Sequence, residues 1–159
     1  KAADHEHADA QFLLGQCYLE GKGLEQDIEK AAHWLKQSAD LDHPEAKKLY
    51  ALLCKEGIGV EKDEEAAQQL LDEAAQDGDP DALFILAKQY DTGDNVKQDH
   101  EKASELYLQA AQAGHLDAQY RIGVRYSSGK GIAADMEQSR FWLEKAAEQG
   151  HRMARSMLS

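Results

Sequence analysis

Cysteine and proline are scarce in this sequence, and basic side chains are outnumbered by acidic ones. Its 159 residues contain two cysteines, two prolines, and 18 lysines and arginines against 30 aspartates and glutamates, which gives a net charge of −12. This balance argues against a nucleic-acid partner, because phosphate backbones are bound by basic surfaces. No apolar run approaches the roughly 20 residues that a membrane-spanning helix needs. We therefore expect neither nucleic-acid binding nor membrane insertion.

All twelve glycines fall in the columns of an internal repeat. None is therefore left for a separate functional loop. The clearest column is an alanine ladder with a step of 36 residues: Ala10, Ala46, Ala82, Ala118 and Ala154. Two other columns hold Gly21, Gly57, Gly93 and Gly129, and Asp27, Asp63, Asp99 and Asp135. A register kept along the whole chain predicts one supersecondary unit copied four times.

Each repeat contains two stretches whose apolar or small residues recur at i, i+3, i+4, i+7 and i+8, which is the pattern of one helix face. In the first repeat, the stripe of helix A is formed by Ala10, Leu13, Leu14, Cys17 and Tyr18. The stripe of helix B is formed by Ala31, Trp34, Leu35, Ser38 and Ala39. Each helix is therefore expected to bury one stripe.

Turn and cap residues mark where these helices begin and end. Helix A is expected to end where Gly21 and Gly23 supply a positive φ, with Asn95 as the tolerant substitute in the third repeat. The aspartate column that begins with Asp27 is expected to cap helix B. The two prolines share a column, and they fit the first turn of helix A behind a capping residue.

The pattern A-x3-LG-x2-Y-x2-G-x-G-[VIL]-x2-D-x3-A-x2-W-x3-AA-x2-G-x3-A, taken from the first and fourth repeats, resembles the Sel1-like repeat, an α/α relative of the tetratricopeptide repeat. The resemblance implies an all-α fold, an α/α superhelical solenoid of four 36-residue helix-turn-helix repeats at about 7–42, 43–78, 79–114 and 115–150. It implies a single domain over 1–159 with a half-repeat at each terminus. Because neither terminus looks like a dedicated cap, we expect a piece of a longer array whose uncapped ends allow self-association.

The seven histidines give little support to a metal site. His7, His43, His115 and His151 share one column in the turn before helix A. A whole repeat separates them, so they cannot share one metal ion at bond lengths of about 2 Å. We interpret this column as capping or solvated turn residues. His33 and His100 lie off the apolar columns and are expected to be exposed.

Catalytic chemistry is not indicated either. Cys17 and Cys54 lie on the stripes of neighbouring A helices, whose axes, about 8–10 Å apart, are too distant for a relaxed disulfide, so free thiols are expected. The glycine–lysine–glycine turn that begins at Gly21 follows a helix and lacks the GxxxxGK[ST] spacing of a phosphate loop. There is no Ser-His-Asp signature and no cysteine beside an identifiable base. We expect no enzyme, no cofactor and no metal.

The family geometry implies that helix A lines a concave wall with four positions spaced by 3, 4 and 3 residues. The partner-binding residues expected on this wall are Asp9, Phe12, Gln16, Leu19, Glu45, Lys48, Leu52, Lys55, Asp81, Phe84, Lys88, Asp91, Asp117, Tyr120, Val124 and Ser127. This mixture of acids, lysines, aliphatics and aromatics suits a peptide or a protein protrusion better than a small molecule. The first two positions of each repeat also fit packing residues, and that alternative stays open.

The sequence therefore predicts a bacterial protein-interaction scaffold or adaptor that binds a partner protein or peptide. An immunity or inhibitor protein that neutralises a toxin by direct binding is the first alternative. A structural spacer without a ligand is the second, and it would show no chemical distinction between the wall and the outer surface. The compartment is left open, with the bacterial envelope or periplasm favoured over the cytoplasm.

Overall fold

Nine helices and no strand form the fold over residues 2–159, which the computed structural model describes, with side chains from residue 5 onward. The helices are α1 (Ala2–Glu20), α2 (Ile28–Asp40), α3 (Pro44–Glu56), α4 (Glu64–Gln76), α5 (Pro80–Thr92), α6 (His100–Gln112), α7 (Leu116–Ser128), α8 (Met136–Glu148) and α9 (Arg152–Leu158). Each helix from α2 to α8 has 13 residues, as a constant register requires. The all-α class is confirmed, with helix A at the odd numbers and helix B at the even numbers.

The chain divides into two compact units, and each is described by itself. The first unit ends at Asp77 and contains α1 to α4, and the second unit spans Gly78–Ser159 and contains α5 to α9. Inside each unit, the helices pack mainly against their neighbours in the sequence. This is the contact pattern of stacked helix pairs in a repeat protein. A single domain over 1–159 stays a prediction.

Helix B begins at an aspartate N-cap in all four repeats, as the sequence predicts. The Asp27 carboxylate accepts a hydrogen bond from Lys30 N at 3.1 Å. The three equivalent aspartates cap α4, α6 and α8 in the same way. Because replacement of such a cap by alanine costs about 1 kcal/mol, the aspartate column contributes to the stability of every repeat.

Histidine Nδ1 caps three of the A helices. His43 Nδ1 accepts a hydrogen bond from Ala46 N at 3.2 Å. His115 and His151 accept equivalent bonds at 3.1 and 3.2 Å. In α5 the cap is Asp79, whose carboxylate accepts the corresponding bond at 2.9 Å. The capping interpretation of this column is confirmed for these residues, and both prolines occupy the first helical position.

The turn between helix A and helix B uses left-handed backbone conformations. Gly21 and Gly23 have φ values of 72° and 74°, and Asn95 takes the second position in the third repeat with a φ of 63°. Gly131 has a further constraint, because a Cβ atom there would collide with the backbone oxygen of His100. This loop is therefore pressed against the start of the preceding helix B, and only glycine fits.

The predicted turn at His7 is wrong, because α1 is continuous through it. In later repeats this turn uses a residue with positive φ, such as Asp42 at 64° or Gly78 at 84°. Glu6 occupies that column before the first repeat, and a glutamate disfavours the left-handed region, so the helix continues. His7 Nε2 instead lies 3.2 Å from the side-chain nitrogen of Gln11, one turn further along α1.

The predicted stripes form the core of most repeats. In the first unit, Ala32, Leu35 and Leu53 form a buried cluster, and Leu35 is fully inaccessible. Ala10 and Leu13 are exceptions, because both are exposed, Leu13 by 59%. Helices α3, α7 and α9 each pack against the helix B that precedes them, but no helix B precedes α1 among the described residues, so Ala10 is left uncovered. The column of Leu13 is exposed in α5 and α9 as well, at Ile85 and Met157. The burial prediction is therefore wrong for these two residues.

Candidate partner-binding surface

The sixteen predicted partner-binding residues lie on the A helices α1, α3, α5 and α7, and together they are called the helix A surface. All sixteen side chains are exposed or half-buried, and none is fully buried. The adjacent column is buried, because Ala46, Ala82 and Ala118 are fully inaccessible to solvent. The sequence pattern therefore identifies an accessible side of each A helix, and the binding role of that side stays a prediction.

A recurring contact ties part of this surface to the histidine caps. In the first unit, His43 Nε2 lies 2.9 Å from Asp9 Oδ1, and the imidazole stacks on the Phe12 ring with 4.5 Å between ring centroids. Asp9 and Phe12 belong to α1, whereas His43 caps α3, so the contact joins two successive A helices. We call this group of aspartate, aromatic ring and histidine the histidine clamp.

The second unit contains two more histidine clamps with the same spacing of 34 residues between aspartate and histidine. Their members are Asp81, Phe84 and His115, and Asp117, Tyr120 and His151. The ring centroids lie 4.2 and 4.5 Å apart, and histidine Nε2 lies 3.4 and 3.2 Å from the carboxylate. Six residues of the helix A surface therefore also connect neighbouring repeats, which supports the packing role that the sequence left open for these positions.

The cap and the clamp together fix the proton position on each imidazole. Because Nδ1 accepts a backbone N–H, it carries no proton, so the proton of the neutral imidazole lies on Nε2, which faces the aspartate. In the last clamp, His151 Nε2 donates a hydrogen bond to Asp117 Oδ1. The side chains of Asp9 and Asp117 nevertheless stay 67% and 64% exposed. A partner can therefore reach these carboxylates while the clamp is intact.

The second repeat departs from the clamp, because Lys48 stands where the others have an aromatic ring. Lys48 Nζ lies 3.2 Å from Glu45 Oε2, and the lysine side chain is only 15% exposed. One turn further along α3, Leu52 is 51% exposed and Lys55 is exposed as well. Leu52 is thus the most accessible apolar side chain of the helix A surface.

Asp91 belongs to a buried polar cluster in the second unit. Its Oδ1 accepts hydrogen bonds from Arg125 Nη1 at 3.0 Å and from His100 Nδ1 at 2.8 Å, and its side chain is 14% exposed. Burial raises the pKa of Asp91, but the hydrogen bond from His100 and the charge of Arg125 outweigh it, so the pKa lies below its ordinary value. The exposure predicted for His100 is therefore only partial, and Asp91 is already bound within the fold.

Arg125 is the centre of this cluster. Its Nε donates to Ser104 Oγ at 2.6 Å, its Nη2 donates to His100 O at 3.1 Å, and its guanidinium lies 5.3 Å from the centroid of the Tyr107 ring. Ser104 Oγ in turn donates to Lys130 O at 2.8 Å. We call Asp91, His100, Ser104, Tyr107, Arg125 and Lys130 the arginine network. Sequence reasoning missed it, although a charged residue in the core column of Cys17 and Leu53 was a signal.

The other residues of the helix A surface have mixed roles. Tyr120 and Val124 pack against the buried cluster of Leu143, Ala146 and Ala154. The remaining members include Lys88, whose Nζ lies 5.7 Å from the Phe84 ring, Ser127, whose Oγ donates to Val124 O at 2.8 Å, and the half-buried Gln16 and Leu19. The members least engaged in folding are therefore Leu52 and Lys55 in the first unit.

The thiols of Cys17 and Cys54 are free, as predicted. Cys54 is buried beside Tyr50, and burial raises the pKa of Cys54 and raises the pKa of Tyr50 to about 12. The Cys54 thiol is therefore protonated and poorly nucleophilic. Among the described side chains, no group of three or more His, Cys, Asp or Glu residues is placed to hold a metal ion. No helix in the described range has the length and apolar character that membrane crossing demands.

Four consecutive segments of the chain match the Sel1 repeat: residues 8–43, 44–79, 80–115 and 116–151. A Sel1 repeat protein from Oxalobacter formigenes is 36% identical over 98% of this chain, with a TM-score of 0.93. A protective antigen of uropathogenic Escherichia coli with an SLR fold is 29% identical over 96% of the chain, with a TM-score of 0.82. The chain spans 45% and 33% of the lengths of these two proteins.

An immunity protein from Pseudomonas aeruginosa is a more distant neighbour, 25% identical over 97% of this chain and 57% of its own length, with a TM-score of 0.61. No curated protein matches the chain. The helix-pair repeat and its solenoid class are thus common to this chain and to these solved structures. Because the four repeat matches cover most of the sequence, the chain belongs to the Sel1 repeat family.

Proposed function

We propose that this chain is a protein-interaction scaffold whose helix A surface binds a partner protein or peptide. The Sel1 repeat fold is generally a scaffold for protein–protein interaction, and such repeat proteins are generally not enzymes. The proposal adds to this the surface that binds and the chemistry of the partner.

The histidine clamp is the observation that carries the proposal. Each clamp holds a carboxylate beside a half-exposed aromatic ring, and the aspartates Asp9 and Asp117 stay 67% and 64% exposed. A carboxylate accepts hydrogen bonds from lysine or arginine, and an aromatic ring packs against the aliphatic stem of the same side chain. Because the histidine holds both groups in place, little conformational entropy is lost when a partner binds.

The charges of the chain favour a partner with basic and aliphatic side chains. The net charge of −12 attracts a basic segment during encounter and raises the association rate. Leu52 offers an apolar contact between the charged positions, since it is 51% exposed. An extended or helical segment that alternates lysine or arginine with aliphatic residues matches this surface.

Photo-crosslinking in the source cell tests the surface. A photoreactive amino acid in place of Leu52 or Lys88 is expected to label a partner, because both positions lie on the helix A surface. The same amino acid in place of Gln37 or Gln109, which are exposed on helix B, is the matched control. Labelling from Gln37 and Gln109 without labelling from Leu52 and Lys88 would contradict the proposal.

Isosteric substitutions test the partner chemistry once a partner is captured. Asp117→Asn keeps the size of the side chain and removes its charge, so we expect it to weaken binding by about tenfold or more. Asp40→Asn, at an exposed carboxylate near the end of α2, should leave binding unchanged. Circular dichroism establishes that both variants remain helical. Equal affinity of the two variants would exclude recognition of a basic segment by the clamp.

A second candidate function is neutralisation of a toxin by direct binding. The observation in its favour is the structural similarity to the immunity protein from Pseudomonas aeruginosa. Co-expression of the chain with the product of the neighbouring gene separates the two functions, because an immunity protein rescues growth from a toxic neighbour and an adaptor does not. A structural spacer, the remaining alternative, would give no specific crosslink from either surface.

A further inference from the structure

Two departures from the repeat pattern lie on neighbouring helices of the second unit. Tyr107 of α6 stands in a column that holds Leu35, Leu71 and Leu143 in the other repeats. Arg121 of α7 stands in a column that otherwise holds leucine, isoleucine and methionine. Since apolar side chains serve the fold at these positions elsewhere, the repeat itself does not require the phenol hydroxyl or this guanidinium.

The hydroxyl of Tyr107 is buried without a hydrogen-bond partner among the described residues, and the side chain is fully inaccessible to solvent. The Tyr107 ring lies edge-on to the Phe84 ring, with 5.6 Å between centroids, and its centroid is 5.3 Å from the guanidinium carbon of Arg125. Phe84 belongs to α5 and Arg125 to α7, so the phenol lies beneath the place where these two A helices meet. A buried hydroxyl without a partner costs free energy, so its presence needs an explanation beyond packing.

Arg121 borders the same place. It precedes Arg125 by one helical turn, so both side chains lie on the same side of α7. That side faces α5, because Arg125 reaches Asp91 of α5 at 3.0 Å. Arg121 is exposed, and no described carboxylate pairs with it. Of the charged side chains that act on the Tyr107 hydroxyl, Arg121 acts most strongly, so the hydroxyl points toward Arg121.

Lys88 supplies a second cation from the opposite helix. The ion pairs that join α5 to α7 and to its N-cap connect residues 34 positions apart. This offset places Lys88 of α5 next to Arg121 of α7. Lys88 is exposed, its Nζ lies 5.7 Å from the centroid of the Phe84 ring, and it too has no carboxylate partner in the described part of the chain. Two cations, one from each helix, therefore flank the position above Tyr107.

These three groups form a set of donors that fits a carboxylate. The two cations provide charge-assisted N–H donors, which bind carboxylates strongly. Burial raises the pKa of Tyr107, so the hydroxyl keeps its proton and can donate a third hydrogen bond. A carboxylate with one negative charge is also repelled less by the nearby aspartates than a phosphate with two.

We propose that Lys88, Arg121 and Tyr107 bind the side-chain carboxylate of an acidic residue in the partner segment, and we call these three residues the carboxylate site. The inference rests on the proposed function, because it places this acidic residue in the segment that the helix A surface binds. The exposed Arg121 side chain moves aside to admit the carboxylate. The Tyr107 hydroxyl then gains the partner that it lacks in the free chain.

The carboxylate site also gives the partner segment a direction. Asp117 of one histidine clamp lies one turn before Arg121, and Asp81 of another lies two turns before Lys88, which corresponds to about 6–10 Å along the helix axes. The surface is therefore negative at the start of α5 and α7 and positive further along. A segment with a basic and an acidic side chain at this separation binds in one orientation only.

Titration with N-acetylglutamate α-amide, which carries only the side-chain carboxylate, tests the site. NMR follows the ring resonances of Phe84, which contacts both Tyr107 and Lys88. At constant ionic strength, a saturable shift with a dissociation constant in the millimolar range is expected, because the probe has few atoms. The neutral isostere N-acetylglutamine α-amide should give no saturable shift. No saturation by the glutamate probe, or equal shifts from the two probes, would overturn the inference.

Substitutions assign the donors. Arg121→Gln should raise the dissociation constant of the glutamate probe by about fivefold or more, and Tyr107→Phe by about threefold. Lys97→Gln is the matched control, because it removes an exposed cation of the same unit outside the carboxylate site, and it should leave the constant unchanged. Equal losses in Lys97→Gln and Arg121→Gln would indicate long-range attraction alone, and unchanged affinity in Tyr107→Phe would exclude the hydroxyl as a donor. Either result would contradict the proposed site.

The stability of Tyr107→Phe separates binding from a structural role of the hydroxyl. Without the probe, its urea midpoint should equal or exceed that of the unaltered chain, because the substitution removes an unpartnered buried group. A lower midpoint would mean that the hydroxyl has a partner within the fold, against the inference. The test is also independent of the photo-crosslinking experiment. Crosslinks from Leu52 and Lys88 without binding of the glutamate probe would support the proposed function and overturn the carboxylate site, whereas the reverse result would support the site and contradict the proposed function.

Discussion

The junction of α2 with α3 in the first unit and the junction of α6 with α7 in the second unit have equal helix lengths and opposite chemistry. Each residue of the arginine network has an apolar counterpart 72 positions earlier. In the order Asp91, His100, Ser104, Tyr107, Arg125 and Lys130, the counterparts are Leu19, Ile28, Ala32, Leu35, Leu53 and Ile58. One repeat backbone therefore accepts either an apolar core or a buried ion pair at the same place.

The two junctions differ in how strongly each depends on a single residue. A buried ion pair must offset the desolvation of both charges, so its net contribution is close to that of apolar residues of similar volume. Loss of one member leaves the other charge buried without a partner. In the apolar junction, Leu35 and Leu53 each contribute through their own buried area. A single substitution is therefore expected to destabilise the polar junction more than the apolar one, although the two intact junctions are similar in stability.

Arg125→Ala is the strongest way to break this comparison. It removes the partner of Asp91 and of Ser104 together, so we expect the free energy of unfolding to fall by about 3–5 kcal/mol, as measured by urea titration. The variant that carries the first-unit residues, with Asp91→Leu, Ser104→Ala, Tyr107→Leu and Arg125→Leu, should recover most of that loss. A loss below about 1 kcal/mol in Arg125→Ala would mean that the network is not cooperative.

Glycine substitutions probe a feature that both junctions share. A Cβ at Gly131 would meet His100 O, and a Cβ at Gly59 would lie 2.7 Å from Ile28 O, whereas Gly23 has open space around it. Gly131→Ala is expected to cost about 3 kcal/mol, from left-handed strain together with overpacking. Gly23→Ala introduces only the backbone strain, which costs about 1–2 kcal/mol. Thermal denaturation of the two variants should therefore separate them clearly.

The pH dependence of stability distinguishes the two junctions further. The pKa of Asp91 is lowered in the folded state, so its ionised form stabilises the fold above about pH 4, and this contribution is lost as the pH falls through the folded pKa. Asp91→Asn should therefore lose about 1.5–3 kcal/mol near neutral pH and progressively less in acid.

Asp94→Asn provides the control for that measurement, because Asp94 is exposed and lies three residues from Asp91. The difference in free energy of unfolding between Asp94→Asn and the unaltered chain should be the same at every pH. If the difference for Asp91→Asn is also independent of pH, the ionisation of the Asp91 carboxylate is not coupled to folding.

The smallest expected effect concerns the histidine clamp, which the two units have in common. His115→Ala removes the cap of α7 and the stack on Phe84, and we expect a loss of about 1 kcal/mol. His43→Ala should cost the same, because its clamp has the same geometry in the first unit. His115→Asp keeps the cap, as Asp79 does in α5, and should be closer to the unaltered chain. Urea midpoints of the three variants measure the differences.

The sequence was sufficient for the local features of the fold. Helix starts at Asp27 and its equivalents, the left-handed Gly21 and Asn95, and the length of the repeat all depend on residues within one turn of the chain, so the repeat columns reveal them. The exposed side of helix A was likewise accessible to prediction, because it follows from the 3.6-residue period. The continuous α1 could also have been predicted, because Glu6 stands in a column where the later repeats have residues with a positive φ.

The contacts that define the candidate site required the structure. The pairing of Asp9 with His43, and of Asp91 with Arg125, spans 34 residues and depends on how successive A helices approach each other. A column of acids on one helix and a column of histidines before the next do not reveal whether the side chains meet. For the same reason, Asp91 looked like a surface acid in the sequence and is a member of the arginine network in the fold.

The histidine clamp also couples the folding of neighbouring repeats. The first turn of a helix is its least favourable step, because several backbone angles are fixed for a single hydrogen bond. His115 and His151 cap the first turns of α7 and α9, and the same imidazoles stack on Phe84 of α5 and Tyr120 of α7. The first turn of each such helix is therefore linked to the repeat before it, so we expect neighbouring repeats of the second unit to fold cooperatively, as in a one-dimensional array with nearest-neighbour interactions.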